Sequence, residues 1–314
     1  MEAIRNGADT VSLRGMDSAG KYAIPETLLD IPGLRHLHLK DFQQKIPAWI
    51  SDITSLESLE IEQTGSVREL LPLLWKLEHL RRLKLAFTWE EHLALPASLA
   101  RLRYLKELNI DGADFESYRF PAVIASLASL QSFSYLFCES ALPDVFDTLS
   151  ALPLLRKLSL THNPDSFKVG DFLPESFYRL SAIEELHFNQ WYCLEELPER
   201  IGEMQRLRVI NLSNDDYRAG VIAVIRALPE SLCSLVNLEE LDLYGLQNLK
   251  QLPSGFSRLS RLKRLDTMCS AIEELQLTPR QWQNLESLHA WFFSGPASVH
   301  QPENIFLLSQ PRTH

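Results

Sequence analysis

The chain has 314 residues, of which 45% are hydrophobic and 23% are charged, as in an ordinary soluble protein. Its 41 acidic and 31 basic residues give a net charge of −10, which argues against a general affinity for nucleic acid or anionic membranes. The sequence contains no apolar run of about 18 residues or more, and its first residues lack the apolar core of a signal peptide. Neither a membrane span nor a secretory leader is therefore predicted.

The chain begins with a segment, residues 1–23, that we predict to be an N-terminal cap followed by a first strand at Val11 and Leu13. Repeats follow, and most of them open with an apolar residue and a proline. Successive repeat starts lie 22 to 31 residues apart, most often about 24. The starts are Ile24, Ile46, Leu70, Leu95, Phe120, Leu142, Leu173, Leu197, Leu228, Leu252 and Leu275.

The internal spacing of one repeat is clearest between Leu228 and Leu243, where the sequence reads LPESLCSLVNLEELDL. From Leu232 to Leu241 its leucines recur in steps of three, which suits a 3₁₀-like segment that keeps one side inward. The last step is two, so Leu241 and Leu243 are predicted on the same face of a short β-strand. Each repeat thus predicts one descending segment and one strand.

The same alignment predicts twelve parallel strands along the chain. After Val11/Leu13, their inward pairs are Leu37/Leu39, Leu59/Ile61, Leu83/Leu85, Leu108/Ile110, Phe133/Tyr135, Leu158/Leu160, Leu186/Phe188, Ile210/Leu212, Leu241/Leu243, Leu265/Thr267 and Leu288/Ala290. Residues 291–314 are predicted to form a C-terminal cap, since an open end exposes core and strand edge.

This pattern resembles the leucine-rich repeat over nearly the entire chain. The period near 24 and the early proline are similar to the intracellular classes of that family, namely the Ras-associated type, the plant disease-resistance type and the repeat domains of some bacterial effectors. The resemblance implies an α/β fold, a right-handed leucine-rich repeat solenoid shaped like a horseshoe. A parallel β-sheet is expected on the concave face, with short helical or 3₁₀ segments on the convex side. One domain over residues 1–314 is expected, with about eleven repeats over 24–290.

The chain departs from the family pattern in two respects. The usual asparagine three residues past the strand occurs only at Asn163, so other coils are expected to satisfy their backbone groups by other means. Two repeats carry insertions, one after Leu160 and one after Leu212. Insertions on one face of a repeat protein commonly serve binding, with neutral drift in a loop as the alternative.

The candidate binding surface is formed by strand positions that alternate with the inward ones. In the first half of the chain their charges alternate in sign from strand to strand, which predicts cross-strand pairing. From Ser132 to Ser213 they become mostly small and uncharged, with aromatic residues at the rim, which is the composition of an interface core. A solvated face without a partner is the alternative. The predicted contact residues are Ser134, Leu136, Phe137, Ser159, Thr161, His187, Asn189, Trp191, Tyr192, Asn211, Tyr217 and Tyr244.

A metal site is geometrically possible at His36, His38 and Glu60, because both histidines share a strand face and Glu60 is expected opposite His38. No fourth ligand is visible in the sequence, so we predict no metal and no other cofactor. The chain also lacks a nucleophile elbow, a phosphate-binding glycine loop and a CxxC pair. We therefore predict that it is not an enzyme.

The four cysteines, Cys138, Cys193, Cys233 and Cys269, are predicted to be buried or half-buried thiols in a reducing compartment. Taken together, the sequence predicts a monomeric, non-catalytic module for protein–protein recognition in the cytoplasm. The repeat type suggests a bacterial effector-like protein, which would act in the host cytosol. Two alternatives stay open: the substrate-recognition part of a ubiquitin ligase or other multidomain enzyme, and a structural, self-assembling module.

Overall fold

The computed structural model describes residues 2–5, 9–15, 23–42, 44–63, 66–115, 119–138, 142–162, 173–189, 194–214, 225–275 and 277–290. Their contacts form two compact units, Met1–Arg156 and Lys157–His314. The single domain over residues 1–314 stays a prediction. The predicted cap at 291–314 lies outside the described residues.

The first unit contains a sheet in which each strand pairs with the next one along the chain. Its strands are β1 (Glu2–Arg5), β2 (Thr10–Arg14), β3 (His36–Lys40), β4 (Ser58–Glu62), β5 (Arg82–Leu93), β6 (Glu107–Phe115) and β7 (Ser132–Cys138). Strands β2 to β7 run parallel, as predicted, whereas β1 is antiparallel to β2. The repeat pattern did not predict β1, which pairs with the edge of the first repeat strand.

The second unit contains a sheet built in the same sequential order. Its strands are β8 (Lys157–His162), β9 (Glu185–Asn189), β10 (Val209–Asn211), β11 (Glu240–Asp242), β12 (Arg264–Asp266) and β13 (Ser287–His289). All these strands pair in parallel. Strands β10 to β13 are shorter than predicted. The second predicted residue of each pair lies just past the strand, but these residues are still buried: Leu212, Leu243, Thr267 and Ala290.

The core consists of leucines stacked from one repeat to the next. Leu37, Leu59 and Leu83 are paired in register on β3, β4 and β5, and each is at most 1% exposed. Each such side chain contributes about 2 kcal/mol through the apolar surface it buries. The alternating residues point away from the core and form what we call the open sheet face.

The segments that return from one strand to the next are mostly 3₁₀ helices. The structure describes them at Glu26–Asp30, Ala48–Asp52, Leu71–Lys76, Ala97–Arg101, Ala122–Ser126, Phe177–Arg179, Glu199–Glu203, Glu230–Ser234 and Ser254–Arg258. A proline precedes most of them in extended conformation, as Pro47 does with a ψ of 140°. The amide of Ile53 then donates to the Ile50 carbonyl at 3.1 Å, which is the three-residue step that the leucine spacing predicts.

Two return segments are α-helical. Helix α1 (Leu142–Leu149) opens a repeat with one additional step of three, in which Leu149, Leu152 and Leu155 precede Leu158. The longer connection leaves room for two α-helical turns. Helix α2 (Pro279–Asn284) begins with a capping box between Thr278 and Gln281. Among the described residues, no helix is long and apolar enough to cross a membrane.

Side chains bridge neighbouring coils by hydrogen bonds to backbone groups of the return segments. The Asn237 side-chain amide donates to the Gln205 carbonyl at 3.0 Å, and Asn284 does the same to Ser260 at 2.7 Å. The Glu230 carboxylate accepts hydrogen bonds from the amides that begin the next 3₁₀ helix, at 2.6 and 3.1 Å. The expectation that the coils compensate for the missing asparagine after their strands stays a prediction. Asn163 lies outside the described residues.

The described cysteine side chains fit the predicted thiols. Cys233 and Cys269 are free, the first buried and the second partly exposed. Burial, with Glu230 nearby, raises the pKa of the Cys233 thiol to about 11, so the reactive thiolate is scarce at neutral pH. The Cys138 side chain and all of Cys193 lie outside the described residues.

Candidate functional site

Several of the predicted contact residues lie together on the open face of β8, β9 and β10. Ser159 is paired in register with His187, and His187 with Asn211 on the opposite side. Thr161 is paired with Asn189 one step further along the strands. We call this cluster of Ser159, Thr161, His187, Asn189 and Asn211 the recognition face.

The imidazole of His187 has an unpartnered nitrogen. Its Nε2 is buried and makes no hydrogen bond, because the nearest acidic oxygen, on Glu185, is 3.6 Å away. That carboxylate oxygen is already bound to the Lys157 ammonium at 2.8 Å. Burial, reinforced by the positive charge of Lys157, holds the pKa of His187 below its usual 6.5. The imidazole is therefore neutral at physiological pH and can donate or accept one further hydrogen bond.

Asn189 provides a second unpartnered atom on the same strand. Its Oδ1 is buried and has no hydrogen-bond partner. Thr161 beside it is only 8% exposed, so its side chain does not project from the surface as a contact residue would. Buried polar atoms are normally paired in folded proteins, so two orphans on one strand face identify a local irregularity.

Asn211 is already engaged in the turn that follows its strand. Its side-chain oxygen accepts a hydrogen bond from the Ser213 amide at 2.8 Å. Asp242 and Asp266 cap the ends of β11 and β12 in the same way. The Tyr244 amide is the donor to Asp242, at 3.0 Å, and the Tyr244 side chain is half-buried. These side chains shape the strand ends, which the sequence pattern did not reveal.

The other predicted contacts are only partly described. Ser134 and Leu136 lie half-buried on the open face of β7, in the first unit. Phe137 is in the same strand, but its side chain lies outside the described residues. Trp191, Tyr192, Tyr217 and both insertions also lie outside them. The aromatic rim therefore stays a prediction.

The first unit carries an ion-pair network on its open face. The Glu62 carboxylate accepts hydrogen bonds from the ammonium groups of Lys84 and of Lys40, the latter at 3.2 Å. Burial alone opposes ionisation of Glu62, but these two hydrogen bonds outweigh it and lower its pKa to about 2. Arg82 on β5 likewise pairs with Glu107 on β6 at 2.6 Å. The predicted alternation of charge is thus confirmed as cross-strand pairing.

The same network includes a group of possible metal ligands. Ligand atoms of His38, Glu60 and Glu62 lie within 4.8 Å of one another. The set differs from the one considered in the sequence, because Glu62 takes the place of His36. Two ammonium groups already hold Glu62, so a cation would have to displace at least one of them. The absence of a metal stays a prediction.

A second polar line crosses β12 and β13. Asp266 Oδ2 lies 2.9 Å from His289 Nδ1, and His289 Nε2 lies 3.3 Å from the Ser287 hydroxyl. The order resembles a serine–histidine–aspartate relay. However, the Ser287 amide donates to the Lys263 carbonyl at 3.1 Å, so it cannot also bind an oxyanion. We interpret this line as cross-strand pairing.

Comparisons with known proteins identify the architecture. No family model matches the chain. TMV resistance protein N of Nicotiana glutinosa is 30% identical over 170 residues, a match that covers 52% of this chain and 14% of that protein. The volume-regulated anion channel subunit LRRC8B of Mus musculus is 25% identical over 219 residues, covering 68% and 26% respectively.

Solved structures resemble the fold over most of the chain. An internalin from Listeria monocytogenes has a TM-score of 0.51 at 15% identity, and the match covers 92% of this chain and 87% of that one. TLR13, in a complex with ssRNA13, has a TM-score of 0.57 at 19% identity, covering 84% and 40%. The chain folds as a leucine-rich repeat protein. Its sequential parallel strands and short return segments are those of this fold.

The matches to curated proteins cover only part of those proteins. The chain spans only 14% to 26% of the length of the first two curated relatives it matches. Its structural neighbours, at 15% to 19% identity, share its fold. These comparisons do not test the intracellular class with repeats of 23–24 residues, which stays a prediction from the sequence.

Proposed function

We propose that this leucine-rich repeat protein is a non-catalytic module that binds a protein partner through its recognition face. The observation that carries the proposal is the pair of unpartnered buried atoms, His187 Nε2 and Asn189 Oδ1. In the register of the strands they lie beside the short side chains of Ser159 and Thr161.

The energetic argument concerns the cost of an unpaired polar atom. A buried donor or acceptor without a hydrogen bond costs about 1–3 kcal/mol. Because both atoms are buried, a partner can bond to them only when these side chains change rotamer, and a hydrogen bond to each of them then recovers that cost on binding. Polar groups at fixed positions then favour partners that carry the complementary pattern.

The class of partner follows from charge and from the relatives. Similar proteins include a resistance protein and an internalin. The TLR13 neighbour was solved with a single-stranded RNA, which makes RNA the competing class. The net charge of −10 opposes binding to a polyanion, so a protein is favoured over RNA.

The setting of this function is also part of the proposal. We infer that the protein acts as a monomer in a reducing compartment, the cytoplasm, since Cys233 and Cys269 are free thiols. The effector-like role, with action in a host cytosol, rests on the repeat type. Two alternatives, the substrate-recognition part of a ubiquitin ligase and a self-assembling module, predict different results in the following experiment.

The test is affinity capture from bacterial and eukaryotic lysates with the whole chain as bait. The double variant His187→Ala/Asn189→Ala should reduce recovery of a specific protein about tenfold, which corresponds to about 1.4 kcal/mol. The matched control is His36→Ala/Asn109→Ala, which removes the same residue types from the open face of the first unit. Circular dichroism and thermal unfolding should show that both variants stay folded.

The outcomes separate the functional classes. A protein lost by the first variant and kept by the control supports recognition through β8 to β10. Equal recovery by wild type and the first variant would move the contact elsewhere. Ubiquitin-conjugating proteins among the captured set would favour the ligase alternative. A mass above that of the monomer, with no captured protein, would favour self-assembly.

A further inference from the structure

The first unit has a pocket at the carboxyl ends of β3 to β6. Its volume is about 250 Å³. Its walls are formed by Lys40, Glu62, Gln63, Lys84, Ala86, Phe87, Asp111 and Gly112. This volume is large enough for one extended polar side chain but not for a folded element.

The pocket lies where Ala86, a small residue, is flanked by two acidic residues with longer side chains. Ala86 on β5 is paired in register with Glu62 on one side and with Asp111 on the other. The methyl group of Ala86 leaves space where a longer side chain would fill it. Asp111 is followed by Gly112, whose φ is +66°, and a Cβ there would lie 2.4 Å from the Phe87 carbonyl oxygen. Glycine therefore allows the two strands to approach closely at the pocket wall.

The charges in the pocket are unequally satisfied. Lys40 and Lys84 both donate to the Glu62 carboxylate, so that acid has two cationic partners. The Asp111 carboxylate, by contrast, has no hydrogen bond or ion pair to any residue in the described part of the chain. It is half-buried and is thus partly removed from solvent, and the nearby Lys84 ammonium acts on its charge without forming an ion pair with it.

We propose that this pocket binds a basic side chain of the protein partner, with Asp111 as the anchoring carboxylate. This inference rests on the proposed protein recognition and adds a chemical class to it. An arginine fits best, because its planar guanidinium offers two parallel donors to one carboxylate. An anionic group is disfavoured, since both lysines are already paired and Asp111 would repel it. The net charge of −10 also favours a basic partner over an acidic one.

The ionisation of Asp111 agrees with this reading. Burial, together with the negative charge of Glu62 and despite the nearby Lys84, raises the pKa of Asp111 above its usual value of 3.8. Its charged form is thus stabilised less well by the protein than by water. A bound cation would supply the missing counter-charge.

The test uses small probes and the whole chain, so it does not depend on a cellular partner. N-acetyl-arginine methylamide is titrated in saturation-transfer NMR, with the isosteric neutral N-acetyl-citrulline methylamide and the acidic N-acetyl-glutamate methylamide as comparison probes. The variants are Asp111→Asn, which removes the carboxylate, and Ala86→Leu, which fills the gap. The matched control is Glu107→Gln, which removes one negative charge from the same face of the same strand.

The arginine probe should bind the wild type and the Glu107→Gln control with similar affinity, and Asp111→Asn should weaken binding at least about fivefold. Ala86→Leu should also weaken it, and the citrulline probe should bind poorly. Equal binding of the arginine probe to wild type and Asp111→Asn, or preferential binding of the glutamate probe, would overturn the proposal. Such a failure would leave capture through His187 and Asn189 unaffected, so the two proposals fail separately.

Discussion

The backbone of Gly245 lies against the carbonyl group of Asn214 on the preceding coil. A Cβ at Gly245 would come within 1.9 Å of that oxygen, and the φ of Gly245 is +74°. The Asn214 amide meanwhile donates to the Tyr244 carbonyl at 2.8 Å, which fixes the two coils together. The turn after β11 thus depends on a residue without a side chain.

Replacing Gly245 by alanine should therefore destabilise the protein by about 3 kcal/mol, from backbone strain and forced separation of two coils. Urea denaturation followed by circular dichroism measures the change. Gly33→Ala is the matched control, because Gly33 has a φ of +73° but nothing within 4 Å of its added Cβ. It should cost only about 1 kcal/mol. Equal losses for both variants would mean that the close contact with Asn214 contributes nothing.

Removing the Glu62 charge should lower stability in a pH-dependent way. The pKa of Glu62 is lowered from 4.5 to about 2 in the folded protein, so its contribution is present above about pH 4.5 and is lost as the pH falls towards 2. Glu62→Gln should therefore cost about 2 kcal/mol at pH 7, after allowance for screening, and much less near pH 2. Denaturant unfolding across this pH range checks both the size and the sign.

The control for that experiment is Glu69→Gln. Glu69 pairs with Lys45 at 3.0 Å, but both side chains are more than half exposed. Its removal should change stability by less than about 0.5 kcal/mol at either pH. A Glu62 variant that loses the same stability at pH 3 as at pH 7 would contradict the assignment of its effect to charge.

Gln281 should be essential for the end of the second unit. It is fully buried, its Nε2 donates to the Phe256 carbonyl at 2.9 Å, and it completes the capping box with Thr278. Gln281→Ala leaves that carbonyl and the Thr278 amide without these bonds and should cost about 2–4 kcal/mol. Trp282→Ala is the comparison, because Trp282 is 43% exposed. A smaller loss for Gln281→Ala than for Trp282→Ala in thermal unfolding would refute the role of the buried amide.

Ser287 should resist covalent labelling by a fluorophosphonate probe, despite its place beside His289 and Asp266. Its amide is bound to the Lys263 carbonyl, so the usual donor to a developing oxyanion is not free. Mass spectrometry of the digested protein, with a known serine hydrolase as a positive control in the same tube, measures the label. Labelling of Ser287 that disappears in His289→Ala would instead reveal a working relay and would contradict a non-catalytic protein.

The sequence predicted which residues lie on the recognition face. Their hydrogen bonds and unpaired atoms were found only in the structure. Alternation along each strand is enough to put Ser159, His187 and Asn211 on one face, because side chains of a strand alternate with period two. The sequence did not indicate that His187 Nε2 lacks a partner, since this depends on Lys157 occupying the Glu185 carboxylate. Nor did it indicate the Asp111 pocket, which depends on the register of three strands.

The sequence by itself determined the repeat, the order of the parallel strands and the 3₁₀ descents, because steps of three and two between apolar residues are local and set which side is buried. Tertiary structure alone decided which charges pair, where β1 adds an antiparallel strand, and which polar atoms stay unpaired. The charge pairs join residues of different repeats, as Glu62 joins Lys40 and Lys84. Their geometry follows from strand register and side-chain rotamers, which local spacing does not encode.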